Sequence, residues 1–118
     1  MSLQLYYSEW YANTTGTGLL ALGKYEEAKE LLTAVLQSED VSKRDQARAL
    51  TGLVVSFAFR DDPETARKYV IQLLELDPGF NLTKAKLYNF YKGKMADQEF
   101  VRRYMDTLQQ LGIPEKSE

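Results

Sequence analysis

Three residues in this chain stand at the spacing of a phosphate-binding loop. Gly18, Gly23 and Lys24 fit G-x-x-x-x-G-K, and Tyr25 occupies the place where a Ser or Thr hydroxyl would hold magnesium. Such a loop works by aiming irregular backbone N–H groups at phosphate, usually after a buried strand. Here the four intervening residues are Leu-Leu-Ala-Leu, all helix formers, and no strand pattern precedes them. Their N–H groups are expected to be used inside a helix. Gly23 then reads as the helix stop, with Tyr25 packing at the start of the next helix, and no nucleotide site is expected.

The other candidates for chemistry are adjacent carboxylates: Glu26/Glu27, Glu39/Asp40 and Asp61/Asp62. Glycosidase-type catalysis needs two carboxyls facing one another across a cleft. Neighbours on a helix point in different directions, and Asp62 is placed to cap a helix. No D-x-[DN]-x-[DN]-G calcium spacing occurs. The chain has no cysteine and no histidine. Disulfides, thiolate chemistry and Cys-based metal sites are thereby excluded, and the commonest general base is missing. We expect no catalytic residues, no metal and no cofactor.

"LYNFYKGKM" interleaves Tyr88, Phe90 and Tyr91 with Lys86, Lys92 and Lys94, a mixture that would suit single-stranded nucleic acid. The net charge is −2, with no basic excess, so no nucleic-acid partner is expected. The longest apolar runs fall far short of a bilayer span, so no membrane insertion is expected. "MSLQLYYSEWY" has neither a basic n-region nor an apolar h-region. A cytoplasmic protein is expected, although a cysteine-free chain suits a periplasm as well.

These residues must be positioned by helices. At 118 residues, with 44% hydrophobic and 27% charged, the chain fits one globular domain that buries roughly 65% of its unfolded surface. No segment shows period-2 alternation. The first helix is predicted from about Leu3 to Leu22. The second, from Tyr25 to Gln37, repeats Ala28, Leu31, Leu32, Val35 and Leu36 on one face. Ser42 with Asp45 resembles a capping box opening the third helix, Lys43 to Phe59. Asp62 as N-cap and Pro63 at the first helical position open the fourth, which ends at Leu76 before the turn at Asp77-Pro78-Gly79. A fifth helix is predicted from Thr83 to Lys92 and a sixth from Asp97 to Leu111. Gly112 and Ile113 should close the sixth, with Ile113 folded back on Leu108.

Two features need helix packing to explain them. "NTTGTG", Asn13 to Gly18, is costly for a helix, so Gly16 is expected to let two helices approach closely, near Ala28. "LYYSEWY" crowds Tyr6, Tyr7, Trp10 and Tyr11 into little more than a turn, so they cannot all face inward. Tyr6, Tyr7 and Trp10 are therefore candidate contacts for a second copy, making a homodimer one option.

The chain is self-similar. Ala28 aligns with Ala66, Leu32 with Val70, Val35 with Leu73 and Leu36 with Leu74, 38 residues apart. "GKYEEA" aligns with "DDPETA". These segments, with the closing "LELDP", resemble tetratricopeptide (TPR) repeats. The resemblance covers about Glu9 to Pro78, and the family's usual period of about 34 residues places the extra length in "SEDVSKRD". The resemblance implies an all-α fold of antiparallel helix-turn-helix repeats. The implied order is repeat one over about 9–42, repeat two over 43–80, a C-terminal helical cap over 81–113 and a polar tail over 114–118. The stretch after Phe80, ending in "LGIPE", also looks like the tail after TPR units in some bacterial cyclases and regulators.

By the same resemblance, the first helix of each pair lines a concave groove. Trp10, Asn13, Thr14 and Thr17 would lie beside Arg48, Thr51, Val55 and Phe59. That mixed polar and apolar surface suits a bound peptide or helix. Only Asn13 and Arg48 approach the carboxylate clamp of the chaperone-binding members. The expected function is a protein-interaction scaffold or adaptor, and not an enzyme. The alternative is a homo-oligomerisation or docking module excised from a larger signalling or envelope protein.

Overall fold

The computed structural model describes residues 9–90 and 97–116, the first three of them by backbone alone. Among these residues the chain forms six helices and no strand: α1 (Glu9–Ala21), α2 (Tyr25–Gln37), α3 (Lys43–Phe59), α4 (Pro63–Leu76), α5 (Leu82–Asn89) and α6 (Gln98–Gln110). The predicted ends of the second, third and fourth helices coincide with those observed. α5 ends earlier than predicted, with Phe90 as its C-cap. The predicted stop at Gly93 and the start of the first helix, with Tyr6 and Tyr7, lie outside the described residues.

Caps define the starts. The Ser42 hydroxyl accepts from the Asp45 N–H, and the Asp62 carboxylate from the Thr65 N–H. Asn81 and Asp97 do the same for α5 and α6. Each bond satisfies one of the donors that a helix N-terminus leaves open.

The stops repeat. Gly23 and Asp61, 38 positions apart, both take a left-handed backbone, with φ of 80° and 64°. The Lys24 N–H donates to the Leu19 carbonyl at 2.9 Å, and the Asp62 N–H donates to the Phe57 carbonyl at 2.9 Å. Each is the long hydrogen bond of a Schellman stop. Gly112, φ 108°, ends α6 the same way, with the Ile113 N–H bonded to the Leu108 carbonyl at 3.0 Å and Ile113 buried.

Ala28 and Ala66 are both fully buried, and their followers Leu32, Val35, Val70 and Leu73 are buried too. α1 packs on α2, α3 on α4, and α2 and α1 both pack on α3, so α3 is the central helix. The close approach at Gly16 occurs, but its neighbour is Leu32 and not Ala28. A Cβ at Gly16 would lie 2.7 Å from Leu32 Cδ2, and one at Gly52 would lie 2.6 Å from Leu32 Cδ1. The Leu32 side chain thus fills a slot with one glycine on α1 and another on α3.

α5 and α6 form an antiparallel pair that also rests on α3. Phe90, Phe100 and Tyr104 stack edge to face, and the Leu82 N–H donates to the Pro114 carbonyl at 2.8 Å, closing the far end.

Candidate functional site

Most residues expected on an open groove lie inside the protein. Asn13, Thr17, Arg48, Thr51 and Val55 are buried, Phe59 is half-buried and Thr14 is exposed. Trp10 belongs to α1, at a position described by backbone alone. The structure therefore corrects the picture of one continuous open face. For Asn13, Thr17 and Arg48 the reason is the packing of α1 on α3; for the second half of α3 it is where the last helix pair goes, since α5 and α6 rest on the same face of α3 that the sequence assigned to a partner. Phe100 meets Phe59 at 6.4 Å between ring centres, the Arg103 guanidinium lies 4.3 Å over Phe59, and Tyr104 reaches Thr51.

Thr51 explains why this packing is specific. Its hydroxyl donates to the Arg48 carbonyl at 2.8 Å and accepts from Asn89 Nδ2 and Tyr104 Oη, both at 3.1 Å. A hydroxyl has one donor and two acceptor sites, so all three are used, and they tie α3 to α5 and α6. Burial pushes the Tyr104 phenol pKa up to about 12.

The first half of α3 is joined to α1 by a polar seam. Asn13 Nδ2 donates to the Asp45 carbonyl at 2.9 Å, and Arg48 Nη2 donates to Thr14 Oγ1 at 3.1 Å. Arg48 also lies 3.7 Å from the Asp45 carboxylate. Burial lowers the Arg48 pKa, and Asp45 works against that. These four expected residues, Asn13, Thr14, Arg48 and Thr51, are thus brought close together, with Thr14 at the surface. Arg44, one turn before Arg48, is exposed and its guanidinium sits 4.8 Å over the Tyr88 ring. Sequence reading missed Arg44 and Tyr88 as neighbours; they become so only because α5 docks beside the start of α3.

The phosphate-loop spacing forms no anion cradle. Leu22, Gly23 and Lys24 donate their N–H groups to the carbonyls of Gly18, Leu20 and Leu19. The shallow pocket of about 380 Å³ after this turn is lined by Gly23, Lys24, Tyr25, Glu26, Glu27 and Arg60. Arg60 and Lys29 hold the Glu26 carboxylate within it, and Lys29 first of all keeps that carboxyl pKa low.

Among the described residues no cluster of His, Cys, Asp or Glu could hold a metal ion, and no helix is long and apolar enough to cross a membrane. No family model, no curated protein and no solved structure matches the chain.

Proposed function

We propose that this chain is a TPR-like helical-repeat module that binds a protein or peptide on the face shared by α1 and α3. The observation that carries the reading is the internal correspondence of its two helix pairs. Hydrogen bonds, left-handed stops and buried alanines recur at an offset of 38 residues. Stacked pairs of this kind set their first helices side by side and so present an extended surface.

The binding surface is narrower than a full groove, because α5 and α6 take up the second half of α3. What is left for a partner is the end near Thr14, Arg44 and Tyr88, over the Asn13–Asp45 and Arg48–Thr14 seam. Arginine and tyrosine are favoured anchoring residues at protein interfaces. The partner we infer is a peptide or helix with acceptor groups for the Arg44 guanidinium and an apolar side chain for Tyr88. No step of this reading involves catalysis or a cofactor.

Selection from a displayed random-peptide library tests it. The expected result is an enriched sequence family that binds saturably and loses at least about tenfold in affinity, roughly 1.4 kcal/mol, with Arg44→Glu. Peptides that bind Arg44→Glu and Thr14→Arg as tightly as the wild type would contradict the assignment, as would a library that yields no binder.

A further inference from the structure

α5 is only 8 residues long, Leu82–Asn89. A helix of that length does not persist in water by itself, so tertiary bonds decide where it stands. Its beginning is anchored by the buried Phe80, whose ring packs on Tyr88 at 6.1 Å, and by the Leu82 N–H on the Pro114 carbonyl. Its end is anchored by Asn89, the residue after Tyr88. The Asn89 amide nitrogen donates to the Ala85 carbonyl of its own helix at 2.9 Å and to Thr51 Oγ1 on α3 at 3.1 Å. The first bond keeps the amide from swinging, so the second fixes the end of α5 against α3.

Packing alone would not select asparagine here. Among the described residues its Oδ1 is buried with no hydrogen-bond partner, a cost that a leucine of similar shape would not carry. Thr51, which receives the amide, shares one face of α3 with Arg48 and Arg44, at spacings of three and four. The bracket therefore also governs what meets Arg44. That neighbour is the half-buried Tyr88 ring, with the exposed Arg44 guanidinium 4.8 Å over it. A guanidinium–ring contact at an exposed place is weak, so it follows the position of α5 and does not set it.

We propose that Asn89 is a positioning residue for the partner surface: by bracketing α5 to Thr51 it holds the Tyr88 ring under the Arg44 guanidinium. Asn89 itself touches no partner. Its effect on binding rests on the peptide-binding reading above, whereas its effect on Tyr88 and Arg44 does not.

NMR of the free full chain tests the proposal, with the Arg44 side-chain protons as probe. Protons over an aromatic face are shifted upfield by the ring current. The wild type should show that shift, and Tyr88→Leu should abolish it. Asn89→Leu should collapse it too, while the thermal midpoint stays within about a few degrees of the wild type. Thr51→Ser keeps the acceptor hydroxyl and should preserve the shift. Tyr104→Phe removes the other donor to Thr51 and weakens the chain without touching Asn89, so it should preserve the shift as well. In titrations with library-selected peptides, Asn89→Leu should lower affinity about fivefold, with no further loss in a Tyr88→Leu background. A wild type with unshifted Arg44 protons overturns the proposal, and so does an Asn89→Leu variant that keeps the shift. Collapse in Tyr104→Phe to the same extent as in Asn89→Leu would mean general loosening and overturns it too, as would an equal loss of peptide affinity with and without the Tyr88 ring. The NMR result needs no peptide, so a library without binders would sink the binding reading and leave this one standing.

Discussion

The Tyr104 hydroxyl donates to the Thr51 hydroxyl at 3.1 Å across 53 residues of chain, with both side chains fully buried. This bond closes the C-terminal helix pair over the central helix and shortens the surface open to a partner. Its two ends should not be equally sensitive. Tyr104→Phe keeps the ring and leaves Thr51 bonded to Asn89 and to the Arg48 carbonyl, so it should cost about 1 kcal/mol. Thr51→Val strands the phenol in the interior and leaves the Asn89 amide only the Ala85 carbonyl as acceptor, so it should cost about 2–3 kcal/mol. The double variant should cost less than the sum. Urea titration of the four proteins measures this, and equal costs for the two single variants would refute it.

Tyr104 also predicts a dependence on alkaline pH. Burial raises its folded-state pKa to about 12, against an unfolded value of about 10. Above the unfolded value the unfolded chain gives up the proton more readily than the folded one, so stability falls as pH rises. The contribution is fully present below about pH 10 and is lost on going to about pH 12, on the order of 2–3 kcal/mol in all. Tyr104→Phe should flatten this part of the stability profile. In the tyrosinate absorbance, one of the eight tyrosines should ionise only as the chain unfolds.

Leu32 divides the helical glycines by sign. Gly16→Ala and Gly52→Ala place a methyl group 2.7 Å and 2.6 Å from its Cδ atoms, and each should destabilise by about 1–3 kcal/mol. Gly18→Ala meets no atom of the described residues within 4 Å and should stabilise the chain by up to about 1 kcal/mol. In a Leu32→Ala background the penalties at Gly16 and Gly52 should largely vanish, because the slot is then empty. Thermal denaturation of dilute samples reads all three signs, and a uniform effect of the three alanines would show that the slot is wrong.

Asp61 stands where the first helix pair has Gly23. Its left-handed backbone, φ 64°, is one that glycine adopts without steric cost and other residues do not. Asp61→Gly should stabilise by about 0.5–1 kcal/mol, and Gly23→Asp should destabilise by a similar amount. Differential scanning calorimetry of the pair decides whether the two stops are equivalent.

Acidification should weaken the start of α4. The hydrogen bond from Thr65 lowers the Asp62 pKa, so the contribution is present above the ordinary aspartate range and is lost as pH falls through the depressed value. Asp62→Ser, which caps without titrating, should remove that part of the acid sensitivity in a pH series of melts.

Helix positions were legible because local signals agree with one another. Asp62-Pro63 starts α4, Ser42 starts α3, and Gly23 and Gly112 end α1 and α6, each by a mechanism confined to a few residues. The buried face of α2 could be read from its spacing alone. What could not be read was the destination of α6. Phe100, Tyr104 and Leu108 announce an apolar stripe, but a stripe does not say which neighbour it meets. Docking on α3 buried Thr51 and Val55, which the repeat pattern alone had placed on a surface. Arg48 reads in sequence as a surface charge; only the fold puts Thr14 and Asp45 around it. Arg44 against Tyr88 was equally invisible, since the two lie 44 positions apart and are joined only by tertiary packing.

The central claim is that partners bind where α1, the start of α3 and α5 meet. Amide chemical-shift mapping of the full chain, titrated with a library-selected peptide, tests it most directly. The account predicts saturable shifts concentrated around Thr14, Arg44 and Tyr88, with the outward side of α4 around Ile71 unmoved. Shifts centred on α4, or on the Lys24–Arg60 turn region, would contradict it.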